Sequence, residues 1–504
     1  MPKILLIGPK LGSNDAFIRD LPLSLLYAAV DCVKNGFEVK IIDLRLLNDN
    51  WQDIVLKELS MDVILVGVSV MTGSPIKSGM EISRFIKNKN PSIPVVWGGP
   101  HPTVEPDGTI EDENIDFLIR GYGSLALYQL AKEIISKSEN YGFINGLSYK
   151  RNGIAHHNSI LYEHELVSFK DIPYDLINID WDKFQRFDNK LRVFPVFTSF
   201  GCNYNCAFCI SPTLYSKMKN RWTPYNVDEV MGHIELAVNK YGANYISVTD
   251  DDSFVDLVRM WRILEQIKER KLNITIGFRG ARINELDRMD EDFLRLMEDA
   301  GVRHFAIGVE SGSQKVLNLM RKGITVEQVI RVNRKLAKFP KLVPVYNIMS
   351  GIPGENLEDL MMTKDLMLQL VRENPQCLTG AVADFKPIPG SKLFDLAVEN
   401  GFKPPKSLKD WSMYDSFDSY ICHPWYDKSY KQYLNLMQVS SFFIDDKILK
   451  EIKSNKFIYR LMRFIARIYK PVIRFRLRSN WSFCLFEYKL MKLGIKLFTP
   501  NRKG

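Results

Sequence analysis

The 504-residue sequence lacks the features that would place it in a membrane or outside the cell. No uninterrupted apolar run approaches the roughly 20 residues that a helix needs to span a bilayer. The N-terminus leads into a short apolar strand, without the longer apolar segment and cleavage site of a signal peptide. The seven cysteines are odd in number, and three of them fall within eight residues, which is a poor disulfide framework. We therefore expect a reducing, cytoplasmic compartment.

The excess of positive charge lies entirely in the C-terminal segment, and the rest of the chain has none. Lys and Arg number 68 against 59 Asp and Glu, a net charge of +9. Residues 447–504 hold 16 Lys and Arg but only two acidic residues, so this segment carries +14 and the rest of the chain −5. With 46% apolar and 25% charged residues, the composition is that of a globular protein. The length predicts two to four domains of about 150 residues each.

Short apolar strands alternate with helical periodicity over about the first 130 residues. Helices are predicted at Leu21–Asn35 and Pro75–Lys87, the second with Ser74 as its N-cap. Such alternation predicts a doubly wound parallel sheet whose ligands bind at the carboxyl ends of its strands. No Gly-x-Gly-x-x-Gly follows the first strand, which argues against a nucleotide cofactor. The predicted strands are Lys3–Gly8, Glu38–Asp43, Val63–Val70, Pro94–Trp97 and Phe117–Ile119.

A second strand–helix region runs from about residue 194 to about residue 390. Its six repeats predict an open or partial (β/α)6 barrel. A hairpin is predicted ahead of it at Leu147–Asn158, and the chain after about residue 402 is mostly helical in pattern. The six predicted strands are Val193–Thr198, Tyr245–Thr249, Thr275–Arg279, His304–Val309, Val343–Met349 and Gly380–Phe385.

Three cysteines, Cys202, Cys206 and Cys209, lie in one loop after a predicted strand. Thiolates at these spacings can converge on one centre, and three of them leave one iron of a 4Fe–4S cluster open. Zinc prefers a fourth Cys or His, and the next such residues are His233 and Cys377. A structural zinc site and packed free cysteines remain the alternatives to a cluster.

The Cys-x3-Cys-x-Phe-Cys arrangement resembles the signature of the radical S-adenosylmethionine (SAM) superfamily. Segments 249–254, 280–283, 308–313 and 351–355 resemble the strand ends that contact SAM in that family. The resemblance covers about residues 1–400 and implies a 4Fe–4S cluster, on the three cysteines, that cleaves SAM. It implies SAM contacts at Phe208, Asp251, Asp252, Arg282, Glu310, Ser311 and Gly351.

Two of these segments allow other interpretations. Ser253 replaces the usual Asn of the family, and Asp252 or Ser253 would also cap a helix at Phe254–Leu264. A surface position is the alternative for Arg282.

The front domain resembles the cobalamin-binding domain of one branch of this superfamily, which includes class B methyltransferases and anaerobic Mg-protoporphyrin ester cyclases. A flat corrin needs a broad shelf with small residues and backbone donors. The family's Asp-x-His-x-x-Gly is absent, because residues 10–20 contain no His, and Gly-Tyr-Gly-Ser replaces Gly-Glu-Gly-Glu at residues 121–124. A Rossmann-like fold without cofactor is the alternative. The implied contacts are Ser69, Met71, Thr72, Gly98, Gly99, His101, Thr103 and Gly121, with His101 near the corrin tail rather than on the cobalt.

The resemblance implies a cobalamin-binding domain at residues 1–140, a connector at 141–190, a radical SAM barrel at 191–400 and a helical C-terminal region at 401–504. It implies a cobalamin-dependent methyltransferase: a 5′-deoxyadenosyl radical removes hydrogen from an unactivated carbon, and methylcobalamin supplies the methyl group.

The implied cofactors are a 4Fe–4S cluster, SAM and cobalamin. The implied partners are an electron donor such as flavodoxin or ferredoxin and a small-molecule or lipid-like substrate, without nucleic acid. A ring-forming or rearranging radical enzyme and a non-catalytic cobalamin or cluster sensor are the competing hypotheses.

The segment Lys456–Arg478 combines basic and apolar residues at helical spacing, and Pro471 is predicted to kink or divide it. Such a helix can lie on an anionic membrane surface, which would make the cytoplasmic protein membrane-peripheral. It can instead dock on the barrel with a solvated basic face. No recognisable nucleic-acid-binding module accompanies it.

Overall fold

The computed structural model describes residues 1–12, 15, 20–47, 50–59, 62–160, 166–184, 191–215, 218–414, 423–451, 457–483, 485 and 487–488. Cys422, Cys484 and part of the loop at residues 10–20 lie outside this set. The chain divides into two compact units. Unit 1 comprises Met1–Phe184, Lys217–Lys219 and Lys403–Ile421, and unit 2 comprises Gln185–Ser216, Asn220–Phe402 and Cys422–Gly504.

The strands are numbered in chain order. They are β1 (Lys3–Gly8), β2 (Glu38–Asp43), β3 (Val63–Ser69), β4 (Val95–Gly98), β5 (Phe117–Ile119), β6 (Leu147–Arg151), β7 (Ile154–His157), β8 (Val193–Val196), β9 (Ser199–Gly201), β10 (Trp222–Pro224), β11 (Tyr245–Val248), β12 (Thr275–Ala281), β13 (Val302–Glu310), β14 (Val343–Ser350) and β15 (Leu378–Asp384).

The helices are numbered in the same way. They are α1 (Leu23–Lys34), α2 (Trp51–Glu58), α3 (Ser74–Lys89), α4 (Pro100–Val104), α5 (Pro106–Ile110), α6 (Ser124–Ser136), α7 (Trp181–Phe184), α8 (Ser211–Tyr215), α9 (Val227–Asn239), α10 (Leu257–Glu269), α11 (Ile283–Arg288), α12 (Glu291–Asp299), α13 (Gln314–Leu319), α14 (Val326–Leu336), α15 (Leu357–Glu373), α16 (Lys392–Glu399), α17 (Leu408–Ser412), α18 (Lys428–Ser440), α19 (Lys447–Glu451) and α20 (Phe457–Arg478).

Unit 1 is built on a seven-stranded sheet of order β2-β1-β3-β4-β5-β6-β7. Strands β1 to β5 are parallel, and the predicted hairpin β6–β7 extends the sheet antiparallel to β5. The central strands are apolar and fully buried because helices cover both faces of a doubly wound sheet: Ile4, Leu65, Val66 and Val95 are all 0% exposed. The strand order reverses between β1 and β3, so the carboxyl ends of these strands are where a ligand is expected to bind. The predicted sheet is confirmed.

Unit 2 is built on a six-stranded parallel sheet of order β15-β14-β13-β12-β11-β8, in which each strand pairs with the next in the chain order of the barrel. Strands β8 and β15 are its two edges, so the structure is the predicted partial (β/α)6 barrel rather than a closed one. A short antiparallel ribbon, β9–β10, lies between the first two barrel strands in sequence. Helices α18 to α20 follow the barrel, as the helical pattern after residue 402 predicts.

Three local predictions are wrong. Helix α3 begins at Ser74 itself, and Gly73, with φ of 105°, takes the N-cap position in place of Ser74. Helix α10 begins at Leu257 and is capped by Asp256, whose side chain accepts from Arg259 N, so neither Asp252 nor Ser253 is a cap. Helix α20 runs through Pro471 as one helix of 22 residues, so the predicted division is wrong, whereas the predicted kink stays a prediction. The helix packs on α18 and α19.

The division into units differs in two places from the boundaries expected above. The hairpin β6–β7, placed in the connector at 141–190, is part of the sheet of unit 1. Helix α17, placed in the C-terminal region, packs on α3 in unit 1. Among the helices that the structure describes, none combines the length and the apolar character that a bilayer crossing requires.

Candidate active site

The cysteine loop of unit 2 starts where β9 ends. Backbone hydrogen bonds hold its centre against the barrel: Ala207 N donates to Met320 O at 2.8 Å, and Leu393 N donates to Ala207 O at 2.8 Å. Cys206 is buried, whereas Cys202 and Cys209 are half-buried. The loop therefore presents three thiols from one anchored backbone turn.

Arg282 follows β12 and reaches the cysteine loop. Its side chain is buried, with Nη1 3.3 Å from Cys206 Sγ and Nη2 donating to Lys322 O at 2.8 Å. Its guanidinium lies 3.5 Å from the centroid of the Tyr204 ring, and the Tyr204 hydroxyl donates to Glu285 Oε1. The prediction that places Arg282 at the site, rather than on the surface, agrees with this position.

The loop after β11 holds three consecutive carboxylates with different surroundings. Asp250 accepts hydrogen bonds from Thr198 N at 2.7 Å and Ser199 Oγ at 2.8 Å, so it ties β11 to the end of β8. Asp251 is exposed and accepts from the Tyr215 hydroxyl at 2.9 Å. Asp252 is 0% exposed, and among the described residues no hydrogen bond of good geometry reaches either of its carboxylate oxygens, although Phe254 N and the Arg282 guanidinium favour its charged form. Burial raises the pKa of Asp252, and the nearby charge of Glu285 raises it further.

An unpartnered buried carboxylate is costly and calls for a partner. Helix capping does not explain Asp252, because Asp256 caps α10. A bound ammonium group would supply hydrogen bonds and add to the positive charge of the nearby Arg282. The carboxylate of Asp252 therefore fits the amino group of a ligand such as SAM.

Glu310 ends β13 and forms a buried ion pair. Its Oε1 lies 2.6 Å from Lys322 Nζ, with side-chain exposures of 10% for the glutamate and 5% for the lysine. Lys322 Nζ also lies 5.5 Å from the centroid of the Phe208 ring, in the cysteine loop. Lys322 thus links Glu310, Phe208 and, through its carbonyl, Arg282. Glu310 adopts a φ of 67°, a strained value that is most often tolerated where function requires it.

Ser311 and Gly351, also predicted to contact SAM, make other contacts. Ser311 is buried, and its hydroxyl lies 3.0 Å from Thr363 Oγ1 on α15. Gly351 O accepts from Trp425 Nε1 at 3.0 Å and from the Tyr426 hydroxyl at 3.4 Å, and Gly351 N donates to Glu355 Oε2. These two residues lie at the ends of adjacent strands, but no contact joins them to the group around Cys206 among the described residues.

A cavity of about 750 Å³ in unit 1 lies at the carboxyl ends of β3, β4 and β5, beside α1 and α6. Four of the predicted cobalamin contacts line it: Ser69, Gly98, Gly99 and Gly121. Gly99 has a φ of 100°, and a Cβ there would lie 2.9 Å from Val70 O, so this close turn requires glycine. A cavity of this size with mostly apolar walls suits a large organic ligand.

The other four predicted contacts do not line the cavity. Met71 is 53% exposed. Thr72 Oγ1 lies 3.1 Å from Nδ1 of the buried His101, whose pKa burial lowers to about 4. Thr103 Oγ1 donates to Gly99 O at 2.8 Å and accepts from Gly121 N at 3.1 Å, so it joins the loops after β4 and β5. Thr103 thus shapes the cavity from behind its wall.

The residues present fit the groups that the sequence implies. Three thiols on one loop, beside a buried cation and a fully buried carboxylate, suit a cluster with a charged ligand. The described residues contain no group of three or more His, Cys, Asp or Glu side chains close enough to hold a single metal ion. The cavity of unit 1 is lined mostly by apolar side chains, with glycines and small polar residues among them, and no histidine stands among its lining residues in the described part of the chain.

Several residues of this site were missed by sequence reasoning. Tyr204, Glu285 and Lys322 contact the predicted residues, and Trp425 and Tyr426 bond to Gly351 O. Tyr204 stands inside the cysteine motif and could have been noticed there. The others come from helices and loops far along the chain, where no local spacing marks them.

Two family models match this chain. The model of the radical SAM superfamily matches residues 196–367, and that of the B12 binding domain matches residues 21–131. An uncharacterized methyltransferase of Pyrococcus horikoshii is 28% identical over 453 residues, which are 89% of this chain and 94% of the relative. The anaerobic magnesium-protoporphyrin IX monomethyl ester cyclase of Rubrivivax gelatinosus is 25% identical over 406 residues, which are 78% of this chain and 69% of the relative.

A solved structure shares the fold along nearly the whole chain. The radical SAM methyltransferase TsrM of Kitasatospora setae, solved with cobalamin and a 4Fe–4S cluster bound, superposes with a TM-score of 0.68 at 16% identity and covers 95% of this chain and 98% of its own. The family matches fall on the two sheets that carry the cysteine loop and the glycine-lined cavity. The chain is therefore an enzyme of the radical SAM superfamily that carries a B12-binding domain, and its cofactors are a 4Fe–4S cluster, SAM and cobalamin.

Proposed function

We propose that this enzyme methylates an unactivated carbon of its substrate. One observation carries the proposal: a three-cysteine loop beside Arg282 and a glycine-lined cavity stand in one chain, each within its own family match. When bound, the cofactors supply hydrogen abstraction and a methyl group, while the protein supplies binding, orientation and exclusion of water. An sp3 carbon has no lone pair with which to attack a sulfonium, so such cofactors are needed.

The proposed roles in unit 2 follow from charge and burial. Cys202, Cys206 and Cys209 hold the cluster through their thiolates. Arg282 offsets the negative charge beside Cys206 Sγ. Asp252 accepts from the amino group of SAM, and this partner would satisfy a buried carboxylate that no hydrogen bond of good geometry reaches among the described residues.

Five further residues are proposed to contact SAM. The Glu310 carboxylate keeps lone pairs free for the cofactor beside its bond to Lys322. Asp251 is accessible from solvent. Phe208, Ser311 and Gly351 complete the set as packing and backbone contacts.

The residues of unit 1 are proposed to form a flat surface on which the corrin lies. Ser69, Gly98, Gly99 and Gly121 lie along the corrin, and their small size lets backbone groups approach it. Thr103 and the pair Thr72–His101 hold the loops that carry these residues. Met71 is exposed and is placed by this proposal at the open edge.

We propose that a reductant such as flavodoxin or ferredoxin serves the cluster, and that the substrate is a small or lipid-like molecule. We further propose a cytoplasmic enzyme with a peripheral membrane contact. The support for the membrane contact is helix α20, on which Phe464, Ile468 and Phe475 are exposed. The boundaries at residues 140, 190 and 400 also stay a proposal.

Ring formation is the second candidate, favoured by the similarity to the cyclase of Rubrivivax gelatinosus. The two functions differ in how they consume SAM. Ring formation needs only 5′-deoxyadenosine production, whereas methyl transfer through cobalamin also releases S-adenosylhomocysteine when the cobalt is remethylated.

The test is anaerobic incubation of the reconstituted enzyme with a host-cell extract of small molecules and SAM. Methyl transfer predicts S-adenosylhomocysteine and 5′-deoxyadenosine in about equal amounts, and a product heavier by one methylene unit. Release of 5′-deoxyadenosine alone, with a product lighter by two hydrogens or unchanged in mass, would overturn methylation in favour of cyclisation or rearrangement. The Cys206→Ala variant is the blank for both products.

A further inference from the structure

Helix α20 presents three distinct faces. One face packs on unit 2 through Ala466, Ile473 and Leu477, which are 5%, 0% and 2% exposed. A docked helix of a globular protein normally leaves only polar residues outside such a face. On α20 the outside is divided into an apolar stripe and a basic flank.

The apolar stripe consists of large side chains open to solvent. Phe457, Phe464, Ile468, Val472 and Phe475 are between 45% and 79% exposed. With 3.6 residues per turn, these positions fall within about 80° of the helix circumference, so they form one continuous strip. A contiguous exposed apolar surface of this kind marks a binding surface.

The basic flank lies along one side of the stripe. Arg460 and Arg467 are exposed there, and Lys470, Arg474 and Arg478 on the same side enter a cavity of about 630 Å³ between α15 and α20. Arg372 of α15 lines the opposite wall, and Asp365 and Asp446 are the acidic residues of the lining. Four cations against two carboxylates leave the cavity positively charged.

We propose that α20 docks on an anionic phospholipid surface, with its apolar stripe at the boundary of headgroups and acyl chains and a lipid phosphate in the basic cavity. Interfacial helices combine these two features: an apolar face for burial and Lys and Arg for the headgroups. A second copy of the chain fits less well, because pairing two stripes would bring two basic flanks together. The inference deepens the proposed peripheral contact, and it resolves the two alternatives for this helix, since α20 both docks on unit 2 and keeps a free apolar stripe.

The test is flotation of the full-length protein with vesicles of phosphatidylcholine alone and with vesicles that also contain phosphatidylglycerol. We expect binding to the anionic vesicles only, weakened by high salt. The variants Phe464→Ser/Phe475→Ser and Arg467→Gln/Arg478→Gln should each lower binding by about tenfold. Val258→Ser, at a position on α10 that is 66% exposed, is the matched control and should bind as the unchanged protein does.

Three results would overturn the inference: no flotation, equal binding to both vesicle types, or a dimer in light scattering that the stripe variant converts to a monomer. SAM cleavage is measured on the same preparations without vesicles. Loss of the vesicle result with cleavage intact removes this inference and leaves the proposed methyl transfer standing. Loss of SAM cleavage with vesicle binding intact removes the proposed methyl transfer and leaves this inference standing.

Discussion

Arg282 joins the cysteine loop to the barrel through three contacts, with Cys206 Sγ, the Tyr204 ring and Lys322 O. Because its side chain is buried, its charge acts on the sulfur with little screening from water. Such a residue positions a ligand of a metal centre and tunes the charge around it.

Replacing Arg282 with Gln should therefore lower 5′-deoxyadenosine formation by about tenfold to a hundredfold. The iron content and the low-temperature spectrum of the reduced cluster should change with it, which separates a charge effect from general unfolding. Arg334→Gln is the control, since Arg334 forms an exposed ion pair with Glu373. Equal activity and an unchanged spectrum in the Arg282 variant would contradict this role.

The buried Glu355 carboxyl makes the free energy of unfolding depend on pH. Burial raises its pKa from an ordinary value near 4.5 to about 7, although it accepts from Gly351 N. Tyr430 faces it from α18, and Asp359 on α15 raises the pKa further by its charge. Since the folded protein holds this proton more tightly than the unfolded chain, the carboxyl lowers stability as pH rises through about 4.5 to 7, by up to about 3 kcal/mol.

The Glu355→Gln variant lacks this titration. Its free energy of unfolding, measured in urea, should match that of the unchanged protein most closely near about pH 5 and exceed it near about pH 8. A difference between the two proteins that stays constant over this range would show that Glu355 is already ionised in the folded state.

At the residue scale, the sequence predicts local ligands well and distant ones poorly. The three cysteines could be found because their spacing lies within one loop. Lys322 could not, because its contacts with Glu310 and Phe208 depend on how strands and helices far apart in sequence meet. Asp252 was predicted as a SAM contact, but only the structure shows that its carboxylate is fully buried and accepts no hydrogen bond of good geometry from the described residues.

At the element scale, the loops after β4 and β5 shape the cavity of unit 1. Gly99 makes the turn after β4 with a φ of 100°, and a Cβ there would press on Val70 O. Gly36 also has a positive φ, of 81°, but a Cβ there meets no atom within 4 Å. An alanine at Gly36 would meet only the cost of the positive φ, whereas an alanine at Gly99 would also meet the close approach of Val70 O. Comparing the two substitutions therefore separates these two costs.

Gly99→Ala should abolish or strongly weaken cobalamin uptake, whereas Gly36→Ala should cost only about 1 kcal/mol of stability and leave uptake unchanged. Corrin absorbance after gel filtration of the reconstituted full chain measures uptake. Equal loss in both variants, or none in Gly99→Ala, would contradict the assignment of this cavity.

Strand positions are the elements that the sequence predicts best, because fully buried strands are continuous apolar runs such as Leu65–Val66 in β3. Helix α20 shows the opposite case. Pro471 predicts a break, yet contacts with α18 and α19 keep one helix. Local propensity yields to packing here.

Pro471→Ala should therefore raise the free energy of unfolding by about 1–3 kcal/mol, since it restores a backbone donor inside an intact helix. The midpoint of guanidinium unfolding measures the effect. Val472→Ala, at the next and solvent-exposed position, should change stability by less than about 0.5 kcal/mol and is the control. No gain in the Pro471 variant would mean that the helix is already bent to accommodate the proline.

At the scale of the whole molecule, the chain combines a doubly wound sheet, with a glycine-containing cavity, and a partial barrel with a cysteine loop. Both folds could be predicted because each alternates strands and helices in the regular way of its class. The position of α17 in unit 1 could not be predicted, because the pattern of its five residues does not indicate which helix they pack on.

The central claim is that one chain holds a three-thiol cluster and a corrin at independent sites. The most direct test is anaerobic reconstitution of the unchanged protein and of Cys206→Ala with iron, sulfide and cobalamin, followed by measurement of iron, corrin and 5′-deoxyadenosine. The account predicts one cluster and one corrin per chain in the unchanged protein, and in the variant an intact corrin without SAM cleavage. Full cleavage by the variant, or a protein that takes up zinc but neither iron nor corrin, would contradict it.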